Sequence, residues 1–211
     1  MKPSDAERVR EMYDDTAESY AEMMDSEIDL PMYADILGRL QSRIAGRPGL
    51  VVDTSCGSGH MLAMYHERFD QSRRLMGLDL SPRMVAIAAE RLGRNARIVV
   101  GDMREIPGVE TDTAVAILNY FALHHLDPKG AGEALKEWHR VLRPGGEIFL
   151  ATWEGSGVID YGDASDIIAL RYRSDELEQW VREAGFEVTR CVVEPVEEMP
   201  MEAIYLEAVK P

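Results

Sequence analysis

From Leu50 onward, short apolar runs alternate with helical patterns, and this alternation restricts the chain to an α/β architecture. The runs are Leu50-Val51-Val52, Leu75 to Leu80, Ile98-Val99-Val100, Ala114 to Leu118 and Glu147 to Thr152. Ala114 to Leu118 contains no polar residue, the pattern of a strand covered on both faces in a parallel sheet. One helix lies between about Gly57 and Phe69. Ser81 as N-cap and Pro82 as first helical residue open another that stops near Gly93, and a third spans about Ala131 to Leu142. Pro144-Gly145-Gly146 turns the chain into the fifth run, and Ser174 can cap a helix ending at Gly185. Phe186 to Val193 and about Glu202 to Val209 have no helical pattern between them and read as a hairpin at the sheet edge.

Two helices precede this core. Ser4-Asp5-Ala6-Glu7 has the spacing of a capping box and predicts a helix toward about Met24. Met32, Tyr33, Ile36, Leu37, Leu40 and Ile44 recur at helical spacing, with Gly46 and Pro48 as the stop signal. With 211 residues and no repeat or linker, the chain reads as one domain: helices in 1–46 that cover a site, and a sheet core in 47–211.

Charge narrows the function classes. Twenty-three Lys and Arg face 38 Asp and Glu, a formal charge of −15, which disfavours nucleic acid and anionic membrane surfaces as partners. Met1 to Leu30 has no apolar core of a signal peptide, and no run is long enough to span a membrane. Cys56 and Cys191 are too few for a disulfide framework, so the cytoplasm is the expected compartment. No spacing of His, Cys and carboxylates suggests a metal.

Open α/β sheets bind ligands at the carboxyl ends of their strands, so the residues directly after each run are the informative ones. Asp53-Thr54-Ser55-Cys56-Gly57-Ser58-Gly59 is built of small residues that let backbone approach a ligand, with helix N–H groups following. Asp79 ends the second run, where a carboxylate can accept from two ribose hydroxyls. In Gly101-Asp102-Met103, Asp102 can accept from an exocyclic amine and Met103 offers an apolar surface to a ring. Together the loops outline a nucleoside with a charged amino-acid tail. The dinucleotide pattern fits less well, since Leu62 stands where its third glycine belongs.

These segments resemble the motifs of class I methyltransferases: Val51-Val52-Asp53 through Gly59 the glycine loop, Gly77 through Met84 the ribose motif, and Gly101-Asp102-Met103 the adenine motif. Phe121 to Leu126 and Arg140 to Gly146 are similar to the family's fourth- and fifth-strand signatures, and Tyr13 to Tyr20 to its N-terminal lead-in. The resemblance implies a Rossmann-like, seven-stranded, mostly parallel sheet with one antiparallel strand and helices on both faces. It also implies S-adenosylmethionine as cofactor, with S-adenosylhomocysteine as product. By the same resemblance Asp79 and its neighbours Leu80 and Met84 would flank the ribose, and Asp102 and Met103 the adenine. Asp53, Ser55, Gly57 and Gly59 would surround the methionine portion, Asn119 would present a carbonyl to the methionine amine, and Tyr13 and Tyr20 would lie over the cofactor. The chain departs from the family at Ser55, where the first loop glycine is usual, and at Val115, where an acid is common.

Transfer of a methyl group from a sulfonium is an in-line displacement that relies on alignment and a dry pocket. For a hydroxyl or thiol acceptor, a histidine can remove the proton; His125 is the first candidate and His124 the second. Residues 153–163 after the fifth run carry three glycines and read as a specificity loop, with Trp153, Tyr161, Arg171 and Tyr172 as candidate acceptor contacts. The expected activity is methylation of a small molecule by a monomer or homodimer. A catalytically silent cofactor-binding regulator and a protein methyltransferase are the alternatives.

Overall fold

A computed structural model describes residues 2–159, 167–196 and 201–211. Seven strands form one sheet: β1 (Leu50–Asp53), β2 (Arg74–Asp79), β3 (Ala96–Val100), β4 (Ala114–Tyr120), β5 (Leu142–Trp153), β8 (Glu187–Pro195) and β9 (Glu202–Val209). Their order is β3-β2-β1-β4-β5-β9-β8. β1 to β5 pair in parallel, and β9 runs against both of its neighbours. The seven-stranded sheet with one antiparallel strand is therefore present. A separate pair, β6 (Val158–Ile159) with β7 (Ala169–Leu170), lies after β5 in a stretch with no strand-like pattern.

The apolar runs are buried on both faces because alternate residues feed two cores. Val52, Met76, Leu78, Ile117, Ile148 and Leu150 point to the side covered by α6 (Pro128–Val141) and α7 (Ser174–Glu183). Val51, Leu75, Ala116, Leu118, Phe149 and Ala151 point to the side of α3 (Pro31–Ile44), α4 (His60–Arg68) and α5 (Pro82–Leu92). Thus α3 lies against the sheet rather than over the site.

The N-terminal segment differs from the single helix expected. Asp5, not Ser4, is the N-cap, its carboxylate accepting from the Arg8 N–H at 3.0 Å. Ser4 instead clips to the backbone of Ile168: its N–H donates to Ile168 O and its Oγ accepts from the Ile168 N–H, each at 2.9 Å. The helix breaks at Thr16 into α1 (Ala6–Asp15) and α2 (Ala17–Glu27), where the Thr16 hydroxyl bonds back to Met12 O at 2.8 Å. Likewise Arg173, not Ser174, precedes α7 as its N-cap, and the fifth strand begins at Leu142 ahead of its glycines.

Candidate active site

Strand order reverses between β1 and β4, which opens a crevice at the carboxyl ends of the parallel strands. A cavity of about 350 Å³ lies there. Ten of the residues expected at the site line it: Tyr13, Tyr20, Ser55, Gly57, Asp79, Leu80, Met84, Asp102, Met103 and His125.

The β1 loop is held by its neighbours. The Thr54 N–H donates to Leu118 O on β4 at 3.0 Å, and the Cys56 N–H to Leu78 O on β2 at 2.9 Å. Gly57 has φ +50, and a Cβ there would stand 3.3 Å from the Tyr20 ring, so glycine keeps both the left-handed turn and the approach of the N-terminal helix. The Asp79 carboxylate crosses from β2 to accept from the Gly57 N–H at 2.9 Å and from the Ser81 N–H at 3.0 Å. Burial still pushes its pKa up, against those two bonds. Asp53, one strand over, is pushed up to about 7, first by burial and then by the charge of Asp79, with the Ser55 N–H at 3.2 Å opposing. Two acids are thus held where their charge lacks a compensating cation.

Asn119 is fully buried and lies behind the lining. Its amide nitrogen donates to Thr54 Oγ1 at 3.0 Å and Ser55 Oγ at 3.1 Å, while Oδ1 has no partner. Ser55, where the family has glycine, therefore anchors this amide. Asp102 is engaged by Arg104, whose guanidinium approaches Oδ2 at 2.6 Å and whose N–H approaches Oδ1 at 2.8 Å. Burial pushes its carboxyl up, but these bonds outweigh that and hold it low. Met103 O accepts from the indole N–H of Trp138 on α6 at 3.0 Å, which ties the adenine-motif loop to the core.

The Tyr13 hydroxyl lies 2.9 Å from His125 Nε2, and among the described residues His125 Nδ1 is buried without a partner. Burial lowers His125 to about 4, so its imidazole is neutral at physiological pH. His124 is buried outside the lining, its ring 4.2 Å from that of His125. Burial and its neighbour's charge hold it well below the usual histidine range.

Asp53 and Gly59 also lie outside the lining, Gly59 as the left-handed N-cap of α4 at φ +84. Trp153, Arg171 and Tyr172 do not reach the cavity. Trp153 packs on Phe121 with ring centres 4.6 Å apart, Arg171 bonds to Ser156 O at 3.1 Å, and the Tyr172 hydroxyl bonds to Leu126 O. Tyr161 lies outside the described residues.

Several lining residues are not among the expected site residues. Lys2 to Ala6 and Val9 form part of the roof, and Tyr120, Phe121 and Leu126 part of the wall. Phe121 adopts φ +51, rare for a non-glycine residue, and is held by Trp153 and by its N–H bond to Ala151 O at 2.9 Å. Ser58, His60 and Asp25 form a chain (Ser58 Oγ to His60 Nδ1 2.6 Å, His60 Nε2 to Asp25 2.9 Å) that pins α2 to α4. Ser58 is buried and outside the cavity, so this chain is structural.

Residues 51–146 match a family described as a methyltransferase domain. An uncharacterized methyltransferase of Geobacillus kaustophilus is 30% identical over 149 residues, 69% of this chain and 63% of that protein. A 23S rRNA (guanine(748)-N(1))-methyltransferase of Streptomyces fradiae is 30% identical over 158 residues, 74% of this chain and 52% of that protein. The chain thus spans less than two thirds of either relative. Among solved structures, the Burkholderia thailandensis 1,6-didemethyltoxoflavin-N1-methyltransferase, bound to 1,6-didemethyltoxoflavin and S-adenosylhomocysteine, superposes with a TM-score of 0.74 at 25% identity. That superposition covers 99% of this chain and 93% of that one. Its strand order, its loops at the switch point and these matches give the chain the class I methyltransferase fold, with a methyltransferase-domain match over residues 51–146.

Proposed function

We propose that this protein transfers a methyl group from S-adenosylmethionine to a small uncharged acceptor, with His125 as the proton acceptor. The observation that carries the reading is that one cavity is lined both by the three cofactor-type loops and by the Tyr13–His125 pair. Bound S-adenosylmethionine supplies a methyl group on a positively charged sulfur. The residues present suit that group: Asp79 for the ribose hydroxyls, Asp102 and the apolar Met103 side chain for the adenine, and the orphaned Asn119 Oδ1 for an ammonium donor. Tyr13 orients the His125 ring through Nε2. In a wall of Val9, Tyr120, Phe121 and Leu126, that nitrogen takes up the acceptor proton through the Tyr13 hydroxyl. Among the described residues, the lining cations are Lys2 and Arg104, and Arg104 is already paired with Asp102, which supports an uncharged acceptor over an anionic one. With only two cysteines, both unpaired, we place this activity in the cytoplasm.

Titration calorimetry with S-adenosylhomocysteine tests the site. Asp79→Asn is expected to weaken binding by roughly 30-fold, the loss of a charge-assisted hydrogen bond. Unchanged affinity would remove Asp79 from the ribose. S-adenosylmethionine carries one more positive charge than S-adenosylhomocysteine, so its binding should expel the proton that Asp53 holds below about pH 7. Its affinity is then fully developed above that pH and falls as pH drops, by up to about tenfold per unit. Calorimetry in buffers of different protonation enthalpy measures this release, and equal enthalpies in all buffers would exclude it.

A further inference from the structure

The opposite end of the sheet carries a second cleft, of about 700 Å³. It lies where the parallel strands begin: Leu50 opens β1, Arg74 opens β2, Ala96 opens β3, and Thr113 directly precedes β4. Its size is that of a small-molecule pocket, and Leu75, Met76 and Val109 give it an apolar floor. Arg74, Arg94 and Arg97 line it, with Glu110 as the lining acid among the described residues.

Most arginines of this chain pair with a carboxylate, as Arg39, Arg68, Arg83, Arg104, Arg140 and Arg182 do, whereas Arg143 and Arg171 bond to backbone carbonyls. Among the described residues, no carboxylate lies within 4.0 Å of Arg74, Arg94 or Arg97. Among the described residues, the one side-chain hydrogen bond of the three runs from Arg97 Nη1 to Gly108 O at 3.5 Å. Gly108, at φ +69, leaves room for that guanidinium, since a Cβ there would stand 2.9 Å from it. Arg143 adds a fourth cation at the rim, donating to Pro48 O at 2.5 Å, and Pro48 lines the cleft. Among the described residues, the three exposed arginines outnumber the one lining acid, Glu110, so the wall of the cleft is net positive and favours an anion.

We propose that this cleft binds a small polyanion of the di- or triphosphate class. Guanidinium forks engage phosphate oxygens in pairs, and three forks match a ligand carrying two or more negative charges better than they match a single carboxylate. The site is separate from the cofactor cavity and shares no lining residue with it.

Calorimetry on the full chain with inorganic triphosphate at low ionic strength tests this. We expect saturable binding with a dissociation constant below about 1 mM, weakened about tenfold or more in Arg74→Gln and again in Arg97→Gln. Both residues are exposed, and unchanged thermal melting of the variants would verify their folding. Asp79→Asn should leave this binding unaltered, which separates it from the cofactor site. ATP and adenosine distinguish the sources of the phosphate: ATP binding in Asp79→Asn that Arg97→Gln abolishes identifies a nucleotide, and triphosphate binding without it identifies a free polyphosphate. The proposal is overturned by absence of saturable triphosphate binding to 10-fold above that limit, by binding indifferent to both arginine variants, or by an oligonucleotide that outcompetes triphosphate for the same arginines.

Discussion

His125→Gln is expected to lower kcat by about 100-fold or more, the usual contribution of a positioned proton acceptor, while S-adenosylhomocysteine affinity stays within about twofold. The separation follows from where His125 sits. Its Nε2 bonds to Tyr13 of α1, and among the described residues it makes no hydrogen bond to Asp79 or to the β1 loop. Burial keeps the imidazole neutral down to about pH 4, so the acid limb of kcat/KM should fall near that value and not near 6.5. The sign follows because the neutral ring is the active form, and activity is lost as pH falls through its pKa. Tyr13→Phe removes the hydroxyl that holds the ring and relays the proton to it, and should also cost about 100-fold in kcat. It should also displace the acid limb, which a merely structural tyrosine would not do. Acceptors are found by following S-adenosylhomocysteine formation across uncharged hydroxyl, thiol and ring N–H compounds. A His125→Gln protein with undiminished kcat, or an acid limb that it leaves in place, would sink the proton-acceptor role.

Trp138→Ala should destabilise the protein by about 3–5 kcal/mol, the cost of a large cavity in a packed core, with a fall in Tm of about 10 °C. Trp138 is fully buried on α6 among Leu135, Leu142 and Ile148, so nothing nearby can close the space without moving the sheet. The same substitution frees Met103 O, because the indole N–H is its donor. Cofactor affinity should therefore fall as well, through a loop that Trp138 does not contact from the cavity side. Trp138→Phe discriminates the two effects: it restores most of the volume but not the hydrogen bond. Melting recovered with affinity still depressed would assign the bond to the loop. A Trp138→Ala protein that melts within about 2 °C of the parent would contradict the packing argument.

The sheet was legible because its signal is local and periodic. Val51 and Val52 point to opposite cores, as do Leu75 and Met76, and a strand buried on both faces favours apolar residues at both phases. The cofactor-type loops were legible for a related reason: each follows its strand directly, so Asp79, Asp102 and Gly57 are placed by the strand ends themselves. Helix starts were less secure. Ser4 has the spacing of a cap, yet its hydroxyl is taken by Ile168, a residue 164 positions away that no local pattern records.

What the sequence by itself determined is the order of strands and helices and the chemical character of the loops at the switch point, since both depend on residues adjacent in the chain. Tertiary structure alone decided which groups meet. Tyr13 reaches His125 across 112 positions, the Asn119 amide turns to Ser55 and Thr54, and Phe121 takes a left-handed backbone because Trp153 holds its ring. It also removed Trp153, Arg171 and Tyr172 from the cavity wall and gathered Arg74, Arg94 and Arg97 at the far end of the sheet. Propensity and periodicity act over a few residues, whereas a site is assembled by packing between elements that the chain keeps far apart.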